Sequence, residues 1–253
     1  MKRMLIGAAL SAGLFMPAVA ADIAAKSPVY TKAPMVAAYD WSGFYVGGSV
    51  GGRWADVDGT TLSFGGAPPP FPAAANASYD STTFRGGGYA GYNWQLASNW
   101  LVGLEGDIAW GDATKTLGFL QGIVPVGTGS SSAFRQTWDA GIRGRVGYLF
   151  APTWLAYVTG GVAFQNVEAT ANCAAAACIG AAFVQTNEKT LVGWSIGGGL
   201  EAALSRNWLV RAEYRYADFG NWTTSFGGIP AVAIVKTYDV TTQTALVGVA
   251  YKF

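Results

Sequence analysis

Histidine is absent from the chain, cysteine occurs only twice, and charged residues make up 12% of 253 positions. A usual soluble domain carries about 25% charged residues. Each scarcity excludes something. Without histidine the commonest general base and the commonest haem axial ligand are missing, which leaves Tyr and Cys as the haem alternatives. Two cysteines cannot staple a disulfide scaffold. So few charges cannot clothe a water-exposed surface of this size. The net charge of +1 leaves no basic footprint for nucleic acid. Beyond the N-terminal leader no apolar run reaches the roughly 18 residues that a transmembrane helix needs. What is present is 35 glycines, ten tryptophans and 51% hydrophobic residues. An apolar, glycine-rich and aromatic chain without membrane helices fits a transmembrane β-barrel, the other architecture that satisfies its backbone inside lipid.

Residues 1–20 have the form of a signal peptide: Lys2 and Arg3, then the apolar stretch Leu5 to Met16, then Ala18-Val19-Ala20. Cleavage near Ala20 is expected, which takes the protein out of the cytoplasm. Residues 21–40, with Pro28, Pro34 and small side chains, suit a flexible periplasmic lead-in, and 41–253 the barrel.

Period-two alternation predicts eight strands, at about 43–55, 82–95, 100–111, 134–150, 154–167, 190–204, 207–219 and 240–253. Short connections (Leu96–Asn99, Ala151–Thr153, Ser205–Asn207) alternate with long ones (56–81, 112–133, 168–189, 220–239). That asymmetry belongs to an all-β, eight-stranded antiparallel transmembrane barrel with short periplasmic turns and long extracellular loops. No proline falls inside a proposed strand, as ladder hydrogen bonding requires.

Parity assigns the faces. In Trp208–Phe219, Arg211, Glu213 and Arg215 oppose Val210, Ala212, Tyr214 and Tyr216. In 134–150, Phe134, Trp138 and Ile142 oppose Arg135, Asp139, Arg143 and Arg145. The charged parity also carries Gly43, Gly47, Gly51, Gly87, Gly91, Gly193, Gly197 and Gly199, which clear space for long side chains inside a narrow barrel. Trp94, Trp100, Trp110, Trp154 and Trp208 lie near strand ends, where interfacial girdles sit. The expected lumenal polar network is therefore Arg53, Arg85, Glu105, Asp107, Arg135, Asp139, Arg143, Arg145, Glu201, Arg211, Glu213, Arg215 and Lys252. A soluble ligand-binding barrel would turn this charged face outward instead.

The start DWSGFYVGGSVGGRW (Asp40–Trp54), the internal WLAYVTGGVAF (Trp154–Phe164) and the end LVGVAYKF resemble the opacity-protein-like family of small outer-membrane barrels, in its α-proteobacterial, porin-like surface-protein branch. The resemblance implies an outer-membrane location and recognition of the terminal Phe253 by the outer-membrane assembly machinery. Larger relatives append a peptidoglycan-binding domain, and this chain stops at the last strand.

No catalytic constellation stands out, and a non-enzyme is expected. Outer-membrane barrel hydrolases resemble one another in relying on histidine, and Glu105 with Asp107 act more simply as counterions to lumenal arginines. Gly86–Gly91 matches G-x-G-x-x-G but lies inside a strand, without the following helix that dinucleotide binding demands. Cys173 and Cys178 bracket four residues in a proposed extracellular loop. Export through an oxidising compartment favours a disulfide there, and two thiols without histidine make a poor metal site. No cofactor or metal is expected. The partners expected are outer-membrane lipids, lipopolysaccharide and the assembly machinery, with the loop ligand left open. Three roles fit: a plugged structural and surface-display barrel, a small diffusion channel, or a loop-binding receptor or adhesin.

Overall fold

The computed structural model describes residues 39–97, 99–123, 129–174, 182–227 and 233–253. Cys178 lies outside them. The strands are β1 (Gly43–Phe64), a short β2 (Asn76–Ser78), β3 (Ser81–Ala97), β4 (Trp100–Leu117), β5 (Ser131–Ala151), β6 (Trp154–Cys173), β7 (Phe183–Ala203), β8 (Trp208–Phe226) and β9 (Ile234–Lys252). The eight long strands pair antiparallel with their sequence neighbours, while β2 only edges β1. Pairing of β1 with β9, from Tyr45↔Lys252 to Phe64↔Ile234, closes the ring.

The faces follow from alternation in the lower half of every strand. Val50, Leu104, Ile142, Val158, Ile196, Leu200 and Val247 point outward and are exposed. Aromatic rings bound this apolar band below, with Phe44, Trp94, Trp100, Tyr148, Trp154, Trp208 and Tyr251. They bound it above with Trp54, Phe84, Trp110, Trp138, Phe164, Trp194 and Tyr216. From Phe44 to Trp54 a tilted strand climbs about 25 Å, the height of an outer-membrane apolar band. Ala212 is near mid-height of this band on β8, between Trp208 and Tyr216. Ala212→Arg is expected to cost about 2–4 kcal/mol of folding free energy in lipid vesicles, and Ala212→Leu almost nothing. Toleration of Arg as easily as Leu would contradict an outward face in contact with lipid.

Above the upper girdle the strands run on, through residues that the sequence assigns to loops. β1 reaches Phe64 rather than 55, β6 Cys173 rather than 167, and β9 starts at Ile234 rather than 240. Alternation persists there with its chemistry exchanged. Val57, Val167, Ala169, Ala171, Ile234, Tyr238 and Val240 now point inward and are buried, whereas Asp56, Asp58, Thr237 and Asp239 point outward. A strand pattern that keeps its charges inside stops at the girdle, although the strand itself does not.

Bulges also move the faces. Register shifts lie between Trp110 and Ala113 in β4 and between Gln136 and Asp139 in β5. An extra residue in one strand reverses parity beyond it. Phe134, expected outside, is buried at 2% exposure, and Arg135, expected in the lumen, faces outward. Arg135 pairs there with Asp112 (2.5 Å) and Glu168 (3.4 Å), its side chain 42% exposed.

A lumen filled in three storeys as the candidate functional site

The interior changes character with height. At the periplasmic end Trp41, Leu101, Leu149, Leu155 and Leu209 form a buried apolar plug. Trp41 is fully buried, its Nε1 donating to the Pro152 carbonyl (3.3 Å) and its backbone N–H to Gln95 Oε1 (3.2 Å). Trp41, just ahead of β1, thus fills the barrel mouth. Lys252 is buried beside it, with its ammonium 5.3 Å from the Tyr39 ring.

The middle storey is ionic. Glu105 is its hub: Tyr45 Oη donates to it at 2.9 Å, Arg211 Nη1 at 2.5 Å and Arg215 Nη2 at 3.4 Å. Arg145 reaches Glu201 (3.1 Å) and Tyr45 Oη (3.1 Å). Glu213 takes Tyr157 Oη at 2.7 Å and an ion pair from Arg215. Asp107 pairs with Arg215 at 2.8 Å, with Arg85 at 3.5 Å and with Arg143. Asp139 holds Arg53 at 2.9 Å and also Arg85. Charges this deep persist only when paired and hydrogen-bonded, because each costs several kcal/mol to bury alone. Of the thirteen side chains named from parity, Arg135 lies outside the barrel and Lys252 sits at the lower rim. The remaining eleven share this belt: Arg53, Arg85, Glu105, Asp107, Asp139, Arg143, Arg145, Glu201, Arg211, Glu213 and Arg215.

Three tyrosines complete the belt: Tyr45, Tyr89 and Tyr157, each at most 4% exposed. The Arg211 guanidinium lies 3.5 Å from the Tyr89 ring centre and that of Arg145 4.1 Å from Tyr157, stacked where cation–π attraction is strongest. The inward glycines serve these rings. A Cβ on Gly47 would fall 2.6 Å from Tyr89 Cζ, and one on Gly91 2.6 Å from Tyr45 Cζ. On Gly199 it would fall 2.8 Å from Tyr157 Oη. The aromatic-outside rule of the sequence reading passes over these tyrosines. Their shared parity with Gly43, Gly87 and Gly161 is the signal that places them inside.

The upper storey is an apolar core of Val57, Tyr79, Leu120, Phe134, Val167, Trp222, Phe226, Ile234 and Tyr238. Two connections close over it, Phe71 N–H donating to the Gly122 carbonyl at 2.9 Å. The second of these connections turns Leu120, Gln121 and Ile123 into the interior, where they are buried. One cation is embedded here. Lys236, 1% exposed, donates to Gln121 Oε1, and no carboxylate among the described residues lies within ion-pair distance of it. Burial pushes its ammonium down to about 7 from the ordinary 10.5. Gln121 carries the polar cluster onward to Tyr79 Oη and, at 3.1 Å, to Ser132 Oγ. Thr61 Oγ1 donates to the Gln121 carbonyl at 2.7 Å. Cys173 ends β6 fully buried and is disulfide-bonded. Phe253 is 69% exposed at the β1–β9 junction, its N–H donating to the Phe44 carbonyl at 3.0 Å.

Comparison with known proteins agrees with this architecture. A family model described as the outer membrane protein beta-barrel domain matches residues 6–253. The 31 kDa outer-membrane immunogenic protein of Brucella melitensis is 30% identical over 84% of this chain and 85% of its own length. The 25 kDa outer-membrane immunogenic protein of Brucella abortus is 28% identical over 93% of this chain and 91% of its own. Among solved structures, the outer membrane protein OprG from Pseudomonas aeruginosa superposes with a TM-score of 0.50 at 15% identity, covering 84% of this chain and 96% of that one.

Proposed function

The chain belongs to the outer membrane protein β-barrel family, and on that premise we propose that it is a closed, non-catalytic barrel that displays a rigid collar outside the cell. The observation that carries this reading is the filled lumen. An apolar plug, an ionic belt and an apolar core under a lid follow one another along the axis. An eight-stranded ring has an interior just wide enough for side chains to fill it. The carboxylates that acid–base chemistry would need are committed to arginines, Glu105 and Asp107 among them. Display is supported by strands that continue past the upper girdle and by relatives whose names call them immunogenic outer-membrane proteins.

Planar-bilayer recording of the refolded protein tests the closed lumen. No resolved conductance step is expected at moderate voltage. Stable steps from the wild-type protein would replace this reading with that of a small diffusion channel. An epitope inserted at Gly66, exposed and with open space where a side chain would stand, is expected to be labelled by antibody on intact cells.

Assembly is proposed to depend on the last residue. Phe253 packs edge-on to Tyr251 (ring centres 5.1 Å apart) and against Phe44 (5.8 Å), while leaving most of its surface exposed. Deleting Phe253 is expected to reduce surface display and heat-modifiable gel mobility in cells severalfold, while refolding into vesicles in vitro changes little. Unchanged assembly in cells would remove Phe253 from this role.

A further inference from the structure

Where the ionic belt meets the apolar core, the lumen holds a cavity of about 30 Å³, room for one water-sized occupant. Four guanidinium groups border it (Arg53, Arg85, Arg143 and Arg215) against a single bordering carboxylate, Asp139. The belt as a whole is also cationic, since Arg145 and Arg211 join these four against Glu105, Asp107, Asp139, Glu201 and Glu213.

The donors of this wall are not all used. Arg53 Nε, Arg143 Nε and the Ser195 hydroxyl are buried without a hydrogen-bond partner, in residues 1%, 3% and 4% exposed. Asp139 has little left to offer them: it already accepts from Arg53 Nη1 (2.9 Å), Arg85 Nε (3.2 Å) and Arg85 Nη2. Asp107 is likewise shared among Arg85, Arg143 and Arg215. A buried donor without an acceptor is costly, and a buried charge without a counterion more so.

One kind of ligand answers both deficits, and we propose that this cavity binds a single halide-sized anion, chloride under ordinary ionic conditions. Water would satisfy the donors and leave the positive surplus. Phosphate, sulfate and carboxylates are too large for the space. The bound anion would act as the missing counterion of the belt and hold its arginines together.

Bromide tests the site directly. Crystals of the refolded protein grown in sodium bromide, measured at the bromine absorption edge, are expected to show an internal anomalous peak beside Arg53, Arg143 and Ser195. Absence of an internal peak overturns the proposal. In vesicles, urea unfolding at constant ionic strength with gluconate replaced by chloride is expected to favour the folded state. Above half-saturation its equilibrium constant should rise up to about tenfold per tenfold increase in chloride. Equal stability in gluconate and chloride also overturns it. Arg143→Met is expected to abolish the chloride response. Because Arg143 also pairs with Asp107, Ser195→Ala serves as a second variant: it preserves every charge and is expected to weaken the response severalfold. A response unchanged in both variants places the anion elsewhere.

Discussion

Glu105→Gln is expected to lower the folding free energy in lipid vesicles by about 3–5 kcal/mol, the range for breaking one partner out of a buried ionic network. The substitution keeps the shape but removes the charge and turns one accepting oxygen into an amide donor. It leaves Arg211, 2.5 Å from Glu105 Oε2, and Arg215, 3.4 Å from Oε1, short of a counterion inside a narrow lumen. Asp112→Asn is the matched control. Its pair with Arg135 is as short, but the two side chains are 57% and 42% exposed, so the expected loss is under about 1 kcal/mol. Replacing Glu105 and Arg211 together by leucine should recover much of the loss, since apolar isosteres remove both desolvation costs. Equal costs for Glu105→Gln and Asp112→Asn would mean that the lumen is hydrated enough to screen its charges.

The second large effect has the opposite sign. Lys236 is buried in the upper core, with its ammonium pushed down to about 7 by desolvation. Below pH 7 the folded and unfolded states both carry the charge, and the folded state bears the whole burial penalty. Between pH 7 and 10.5 the folded state is neutral while the unfolded state still binds a proton, so stability climbs with pH. Above 10.5 the penalty is gone. The full span, from about 7 to 10.5, is worth about 5 kcal/mol at most. Lys236→Met is therefore expected to stabilise the protein by several kcal/mol at pH 6, less about 1 kcal/mol for the lost bond to Gln121. The gain should shrink toward pH 10. Denaturant unfolding of both proteins across pH 6–10 measures it, and parallel pH curves would show that Lys236 does not titrate in the folded barrel.

Much of the membrane half was legible in the residues. The parity of Arg211, Glu213 and Arg215 against Val210, Ala212, Tyr214 and Tyr216 is the parity of the structure, because a strand offers only two faces. The short turns fall where proline, asparagine and serine interrupt alternation. The collar was not legible, for a physical reason. The segment IVKTYDV, Ile234–Val240, alternates as well as any membrane strand, but with its apolar residues inward. A template written for lipid outside treats that reversal as the end of a strand. Arg135 escaped for a different reason: a bulge has no compositional mark, and one extra residue sends the side chains beyond it, away from the membrane half, to the other wall. Lys236 was hidden by both effects of context, a lone cation in a stretch assigned to a loop, made conspicuous only when Gln121 and the lid close over it.

The reversal of polarity part-way up each strand also settles how deep the protein rides. A slide of two residues along the barrel axis would keep every side chain on its proper wall, so parity alone does not prevent it. Such a slide inward would draw Asp56 to the depth now held by Trp54, toward acyl chains, and a slide outward would lift Ile108 and Val162 toward headgroups. Both displacements are opposed on every strand at once. The vertical position is therefore held by the same alternation that sets inside from outside, and the collar stands at a constant height above the lipid whatever its loops contact.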